Sequence, residues 1–220
     1  MIRLREVYES LLTALGPQDW WPGESPFEVM VGAMLVQNTA WKNVRLAIDN
    51  LREEGLLSLD ALRRVPHEEL AELIRSAGYF RLKATRLHNL LEFLHDRYDG
   101  SIQAMRERDT DTLRRELLSV NGVGPETADS ILLYALDRPT FVVDTYTHRV
   151  LARHGWIGYN ADYHTIQELF ENSLEEDVSL YNEFHALLVR VGHLYCRKTP
   201  QCEDCPLCDM LPEGHIVTPD

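Results

Sequence analysis

Leu118-Ser119-Val120-Asn121-Gly122-Val123-Gly124-Pro125-Glu126-Thr127-Ala128 is the stretch that decides how this chain is read. It joins two helical patterns. Leu113, Leu117 and Leu118 precede it, and Ala128, Ile131, Leu132 and Ala135 follow at i, i+3, i+4, i+7. Two glycines allow a tight turn and let backbone N–H groups approach a ligand closely. Pro125 suits the first turn of the second helix, where a missing N–H costs nothing. The start of that helix adds unsatisfied donors and the positive end of a dipole, which suits a phosphate. Taken alone, the same residues also read as a plain turn between packed helices.

Helical periodicity continues outward in both directions. Ile2, Leu4, Val7, Tyr8, Leu11, Leu12 and Leu15 form one apolar stripe closed by Gly16-Pro17. Phe27 to Val36 is apolar on nearly every side and predicts a buried central helix. Further helices are expected around Leu46 and Leu51, from Pro66 to Gly78, over Leu82 to Leu94, and over Leu180 to Val191. Thr140 to Val143 alone looks extended, and it is too short to imply a sheet. The expected class is all-α.

Composition narrows the function classes. The chain has 220 residues, 45% hydrophobic and 26% charged, as an ordinary globular protein does. No stretch approaches the roughly 20 apolar residues of a membrane span. Met1-Ile2-Arg3-Leu4-Arg5-Glu6 lacks the apolar core of a signal peptide, so a cytoplasmic location and no membrane partner are expected. A net charge of −13 argues against indiscriminate DNA binding. Much of that acid sits in Asp60 to Glu72 and Glu168 to Asp177, expected to be solvated helix faces.

Three further constellations carry chemistry. Cys196-x5-Cys202-x2-Cys205-x2-Cys208 contains all four cysteines, too clustered to staple a fold and suited to hold a zinc ion or an iron–sulfur cluster. Val143-Asp144-Thr145 places a carboxylate after an apolar run and before a helix, where it fits an N-cap, a catalytic group, or both. Trp20-Trp21 precedes Pro22-Gly23 and reads either as core or as a base-stacking wall.

In this order, these pieces resemble the endonuclease III family of helix-hairpin-helix DNA glycosylases. Pro26-Phe27-Glu28 through Gln37-Asn38-Thr39 and Ala77-Gly78-Tyr79-Phe80-Arg81-Leu82-Lys83-Ala84 add to the likeness, which runs from about residue 20 to 208. The resemblance implies a two-lobed helix-hairpin-helix fold. A six-helix barrel would span 22–135, with its hairpin near 110–136. A second lobe would combine 1–21 with 136–220 and carry a cluster loop at 196–208. The hairpin and Asp144 would flank the cleft between the lobes. Asp144 would be catalytic, and Gln37 would fill the gap left by a flipped nucleotide. Gly122, Val123, Gly124, Thr127, Lys83 and Arg197 would contact DNA. Cys196, Cys202, Cys205 and Cys208 would hold a [4Fe-4S] cluster, with zinc as the alternative. The partner would be double-stranded DNA containing damaged bases, bound by a monomer.

Two departures sharpen this. Where bifunctional relatives carry a hairpin lysine that attacks the sugar, this chain has Glu126, and its three lysines are Lys42, Lys83 and Lys198. A monofunctional glycosylase without lyase activity is therefore expected. Trp20-Trp21-Pro22, Leu35 to Trp41, and Glu126-Thr127-Ala128-Asp129 look like the 3-methyladenine branch, with Trp20, Trp21, Trp41 and Glu126 at the base pocket. Excision of oxidised pyrimidines or mispaired uracil or thymine, and a non-catalytic damage-binding Fe–S protein, remain as alternatives. The cysteine spacing is also shorter than the family's usual one.

Overall fold

The computed structural model describes residues 3–219, and among them there are only helices, turns and irregular segments. The all-α class holds. Ile2, expected to begin the first stripe, lies outside the described residues. The helices are α1 (Leu4–Leu15), α2 (Pro26–Leu35), α3 (Trp41–Glu53), α4 (Leu59–Arg63), α5 (His67–Leu73), α6 (Phe80–Tyr98), α7 (Ile102–Arg106), α8 (Thr110–Leu118), α9 (Pro125–Ser130), α10 (Thr145–Arg153), α11 (Tyr163–Glu171) and α12 (Val178–Leu194). The chain divides into two compact units, one formed by Trp21–Arg138 and the other by Met1–Trp20 with Pro139–Asp220.

The unit Trp21–Arg138 is organised around α2. Ser25 caps that helix by accepting from the Glu28 N–H at 3.2 Å, Pro26 occupies its first turn, and every residue from Glu28 to Leu35 is buried. A helix apolar all round needs neighbours on all sides, and α2 packs against α3, α6 and α9. The buried Glu28 carboxylate is balanced by Arg52 of α3, whose guanidinium donates to it at 2.8 Å.

The second helix of the hairpin departs from simple α periodicity. After Ser130 the chain makes a π turn over Ile131–Ala135. Ile131, Leu132, Leu133 and Ala135 are all buried there, while Tyr134 is only partly so. The wider turn lets three consecutive large residues face the core. Asp137, at φ +56, then reverses the chain.

In the other unit α10 and α1 both pack on α12. Phe141 stacks on Phe170 with centroids 3.8 Å apart, and Tyr181 and Phe184 meet Phe141 edge-on. The segment expected to be extended, Thr140 to Val143, forms no strand and is buried. Buried backbone without a sheet must bond to side chains. Glu171 accepts from the Phe141 N–H at 2.8 Å, Gln167 donates to the Phe141 carbonyl at 2.8 Å, and the Tyr163 hydroxyl accepts from the Val143 N–H at 3.4 Å. That ladder of side chains from α11 delivers the chain to Asp144.

Candidate functional site

Asp144 is the N-cap of α10. Its backbone is extended, and its Oδ1 accepts the Thr147 N–H at 2.7 Å. The carboxylate is 12% exposed, and its Oδ2 lies 3.9 Å from His185 Nε2 on α12. Burial pushes the His185 imidazole below its usual range, only partly opposed by the Asp144 charge, so it is neutral near pH 7. Tyr146 lies on the same helical turn. Burial raises its pKa first, and Asp144 raises it further. Its hydroxyl lies 3.1 Å from His193 Nε2 on α12. Gly192 makes that approach possible, because any Cβ there would overlap the Tyr146 ring. One carboxylate is thus fixed by a cap and set among one buried imidazole and one phenol.

The hairpin lies in the other unit. Gly122 has φ +99, a left-handed value that glycine tolerates, and Gly124 is the N-cap of α9. The Asn121 carbonyl accepts from Asn89 at 3.0 Å, and the Gly122 carbonyl accepts from Gln37 at 3.0 Å. Held this way by its own unit, the Asn121 carbonyl aims the trans-related Gly122 N–H in the opposite direction. The Val123 N–H is used within the turn, bonded to the Val120 carbonyl at 3.0 Å. Underneath, Arg114 of α8 donates twice to the fully buried Asp129 of α9, at 2.6 and 2.9 Å, and fixes the two hairpin helices to each other.

Gln37 is tied to this turn. Its amide also donates to the Thr127 hydroxyl at 2.9 Å, while its Oε1 accepts from Arg86 at 2.6 Å. Beside it, Gly78 faces the Thr39 hydroxyl, so the loop carrying Tyr79 adjoins the Gln37–Thr39 turn. Tyr79 is 74% exposed and has left-handed backbone at φ +46. A large exposed ring on an unfavourable backbone conformation is a feature that packing does not explain.

Aromatic side chains gather on Trp21. Trp41 meets it edge-on at 4.9 Å and Tyr134 lies against it at 5.2 Å. Gly32 of α2 lets the indole sit close to the helix backbone. Trp20 is half-buried in the other compact unit, and Glu126 is exposed in the first turn of α9.

The expectation that Lys83 contacts DNA is corrected. Lys83 is 2% exposed, and its ammonium donates at 2.7 Å to the carbonyls of Leu35 and Ala77. These carbonyls lie at the ends of α2 and of a 3-10 turn over Arg75–Ala77, where no further helical N–H reaches them. Burial, helped by the Arg86 charge, lowers the Lys83 pKa to about 8. The residue is an internal cap and not a phosphate contact.

All four cysteines line one cavity, together with Arg153, His154 and Tyr195. The three-residue spacing of Cys202, Cys205 and Cys208 gives successive turns, with Cys205 N–H bonded to the Cys202 carbonyl at 3.0 Å and Cys208 N–H to the Cys205 carbonyl at 2.9 Å. Arg153 donates to Cys196 Sγ at 3.3 Å and to the Arg197 carbonyl at 2.6 Å, and Arg149 donates to the Cys196 carbonyl at 2.6 Å. Burial raises the Cys205 thiol, and the neighbouring cysteines raise it further. Among the described residues no three His, Cys, Asp or Glu side chains form a single-ion site. Four thiols that line one cavity, on a loop steadied by arginines, fit the donor set of a thiolate-ligated cluster. Arg197 itself is exposed on this loop.

A family profile described as HhH-GPD superfamily base excision DNA repair protein matches residues 31–176. The chain belongs to this family. The HhH-GPD protein is 50% identical over 204 residues to a Methanocaldococcus jannaschii protein provisionally named a DNA repair glycosylase, covering 92% of each. Its structure resembles that of endonuclease III trapped covalently on DNA, with a TM-score of 0.83, 25% identity, and 97% and 98% of the two chains covered. It also resembles the 3-methyladenine DNA glycosylase of H. pylori bound to 1,N6-ethenoadenine, with a TM-score of 0.74, 27% identity, and coverage of 87% and 98%. It is an endonuclease III-like base excision DNA glycosylase.

Within this glycosylase, the structure brings Gln37, Gly122 and Thr127 into one hydrogen-bonded set, joins Trp21 with Trp41, and gathers the four cysteines. Tyr134 and the Arg114–Asp129 pair were missed as site residues, and Arg86, beside a matched motif, reads in sequence as a surface charge or a phosphate contact and not as a partner of Gln37. Tyr134 hides inside an apolar run, and its orientation follows from a π turn that periodicity does not signal. Arg114 and Asp129 stand 15 residues apart, on two helices whose facing only the hairpin sets.

Proposed function

We propose that this protein is a monofunctional glycosylase that hydrolyses the N-glycosidic bond of alkylated purines such as 3-methyladenine in double-stranded DNA. The observation that carries the reading is the cluster of Trp21, Trp41 and Tyr134, electron-rich rings suited to a flipped cationic base. The likeness to the H. pylori 3-methyladenine glycosylase supports it. Glu126 stands in the first turn of the helix that follows the hairpin, and Trp20 is a further candidate for contact with the base. The Gly122 and Gly124 amides, Thr127 and Arg197 hold the strand, the Val123 amide being used within the turn. Gln37 occupies the gap left by the flipped nucleotide.

N3-alkylation leaves the purine positively charged, so the bond to C1′ is already weakened. As that bond breaks, its electron pair stays with the base, which departs neutral. Positive charge develops on the sugar, and the Asp144 carboxylate stabilises it. Water adds to C1′ and loses its proton towards Asp144, leaving an abasic site. No lysine stands in the hairpin to attack the sugar, and Glu126 has no amine to form an imine. Cys196, Cys202, Cys205 and Cys208 would hold a [4Fe-4S] cluster, which when bound stiffens the loop carrying Arg197.

The test is base release from alkylated duplex DNA, with strand breaks scored before and after alkali, for the wild type and for Asp144→Asn. Release of 3-methyladenine with breaks only after alkali, abolished in D144N while DNA affinity persists, is the expected result. Direct nicking of an oxidised-pyrimidine duplex would replace both substrate and mechanism with those of an endonuclease III. Binding without any base release would favour a damage-binding protein.

A further inference from the structure

Gln37 is not a loose side chain. Its amide donates to the Gly122 carbonyl and to the Thr127 hydroxyl, and its Oε1 accepts from Arg86 at 2.6 Å. Arg86 comes from α6, a different element from either the turn after α2 or the hairpin. Its aliphatic stem fills the space beside Gly122, where any Cβ would overlap Arg86 Cβ, Cγ and Cδ. Gly122 is therefore constrained twice, by φ +99 and by this close approach. Gly122, Arg86, Gln37 and Thr127 close a ring that joins α6, the turn after α2 and the hairpin, all within one compact unit.

We propose that Arg86 is a positioning residue that fixes Gln37 on the hairpin before DNA arrives. The inference rests on the reading of Gln37 as the gap-filling residue, and adds to it the group that holds that side chain ready. A free glutamine side chain loses much rotamer freedom when it is fixed. Ordering it in the unbound protein removes that cost from binding. Arginine suits the task, because its planar guanidinium forms a charge-assisted bond to the amide oxygen while its stem packs against glycine. Arg86 is half-buried in this arrangement and acts through Gln37 instead of through a phosphate.

The experiment measures affinity for a duplex carrying a tetrahydrofuran abasic analogue and for the same duplex undamaged. It compares wild type, Arg86→Met, Gln37→Ala and the double variant, with thermal melts alongside. R86M should lower the preference for the lesion about tenfold while leaving affinity for undamaged DNA unchanged. Q37A should lower it at least as much, and the double variant should match Q37A alone, since one residue acts through the other. Arg86→Lys keeps the stem and one donor, and should restore part of the preference. If R86M does not fold, R86K takes its place in the cycle, with a smaller loss that also vanishes in the Q37A background.

Additive losses, or an equal loss on undamaged DNA, would mean that Arg86 touches DNA itself and would overturn the inference. A rise in preference would mean that Arg86 restrains Gln37, and would overturn it too. If Q37A loses preference and R86M does not, the role of Arg86 fails alone. If Q37A leaves preference unchanged, the reading of Gln37 fails, and the inference with it.

Discussion

Replacing Lys83 by methionine tests the largest change the structure makes to the sequence reading. The substitution keeps an unbranched apolar stem of similar length and removes the two 2.7 Å bonds to the Leu35 and Ala77 carbonyls. Each charge-assisted bond contributes about 1.5–3 kcal/mol net, and both carbonyls stay buried without that donor. Relief from burying an ammonium offsets part of this. A net loss of about 3 kcal/mol near pH 7 follows, or a melting temperature lower by about 9 °C in a chain of this size.

The pH dependence gives a second reading of the same group. Its folded pKa, about 8, lies below the ordinary 10.5 of an unfolded chain. Between those values the unfolded state binds more protons, so the stability from Lys83 rises with pH across that window. The neutral amine still has two hydrogens for the two carbonyls, which is why deprotonation does not undo the cap. The difference between wild type and K83M should therefore widen by up to about 3 kcal/mol between pH 8 and 10.5. Urea unfolding of both proteins at matched pH cancels the other titrating groups. Equal melting temperatures with weakened DNA binding in K83M would refute the internal cap and restore a phosphate contact. A difference that narrows with rising pH would refute the sign of the shift.

Three further outcomes are expected. Arg114→Met removes the fork from the fully buried Asp129 carboxylate and should cost about 3–5 kcal/mol in urea unfolding, whereas a change below about 1 kcal/mol would mean that the pair does not hold the hairpin. Glu126→Lys should make a covalent adduct with abasic DNA under borohydride, the amine condensing with the C1′ aldehyde to an imine that is then reduced; an adduct in the wild type would sink the monofunctional reading. Protein purified without oxygen should contain iron and inorganic sulfide, both lost in Cys205→Ser, and stoichiometric zinc instead would replace the cluster assignment.

Much of this protein was legible from local sequence. The helical class follows from apolar residues recurring at 3.6-residue spacing, and Phe27 to Val36, apolar on nearly all sides, is indeed central to its unit. Gly122 marks the turn of the hairpin, since φ +99 and the close approach of Arg86 leave room for glycine alone, and the cysteine spacing marks its loop, because both signals are complete within about a dozen residues. What tertiary structure alone decided depends on which distant groups meet. A lysine beside matched motifs reads as a cation for phosphate, yet Lys83 faces inward, because two helix-end carbonyls 48 and 6 residues away needed a donor. Arg86 reads as a surface charge until Gly122 and Gln37 are brought to it from 36 and 49 residues away. Spacing in sequence specifies the face of a helix, whereas the partner of a charge is chosen by burial, where an unmet hydrogen bond costs a sizeable share of the chain's small net stability.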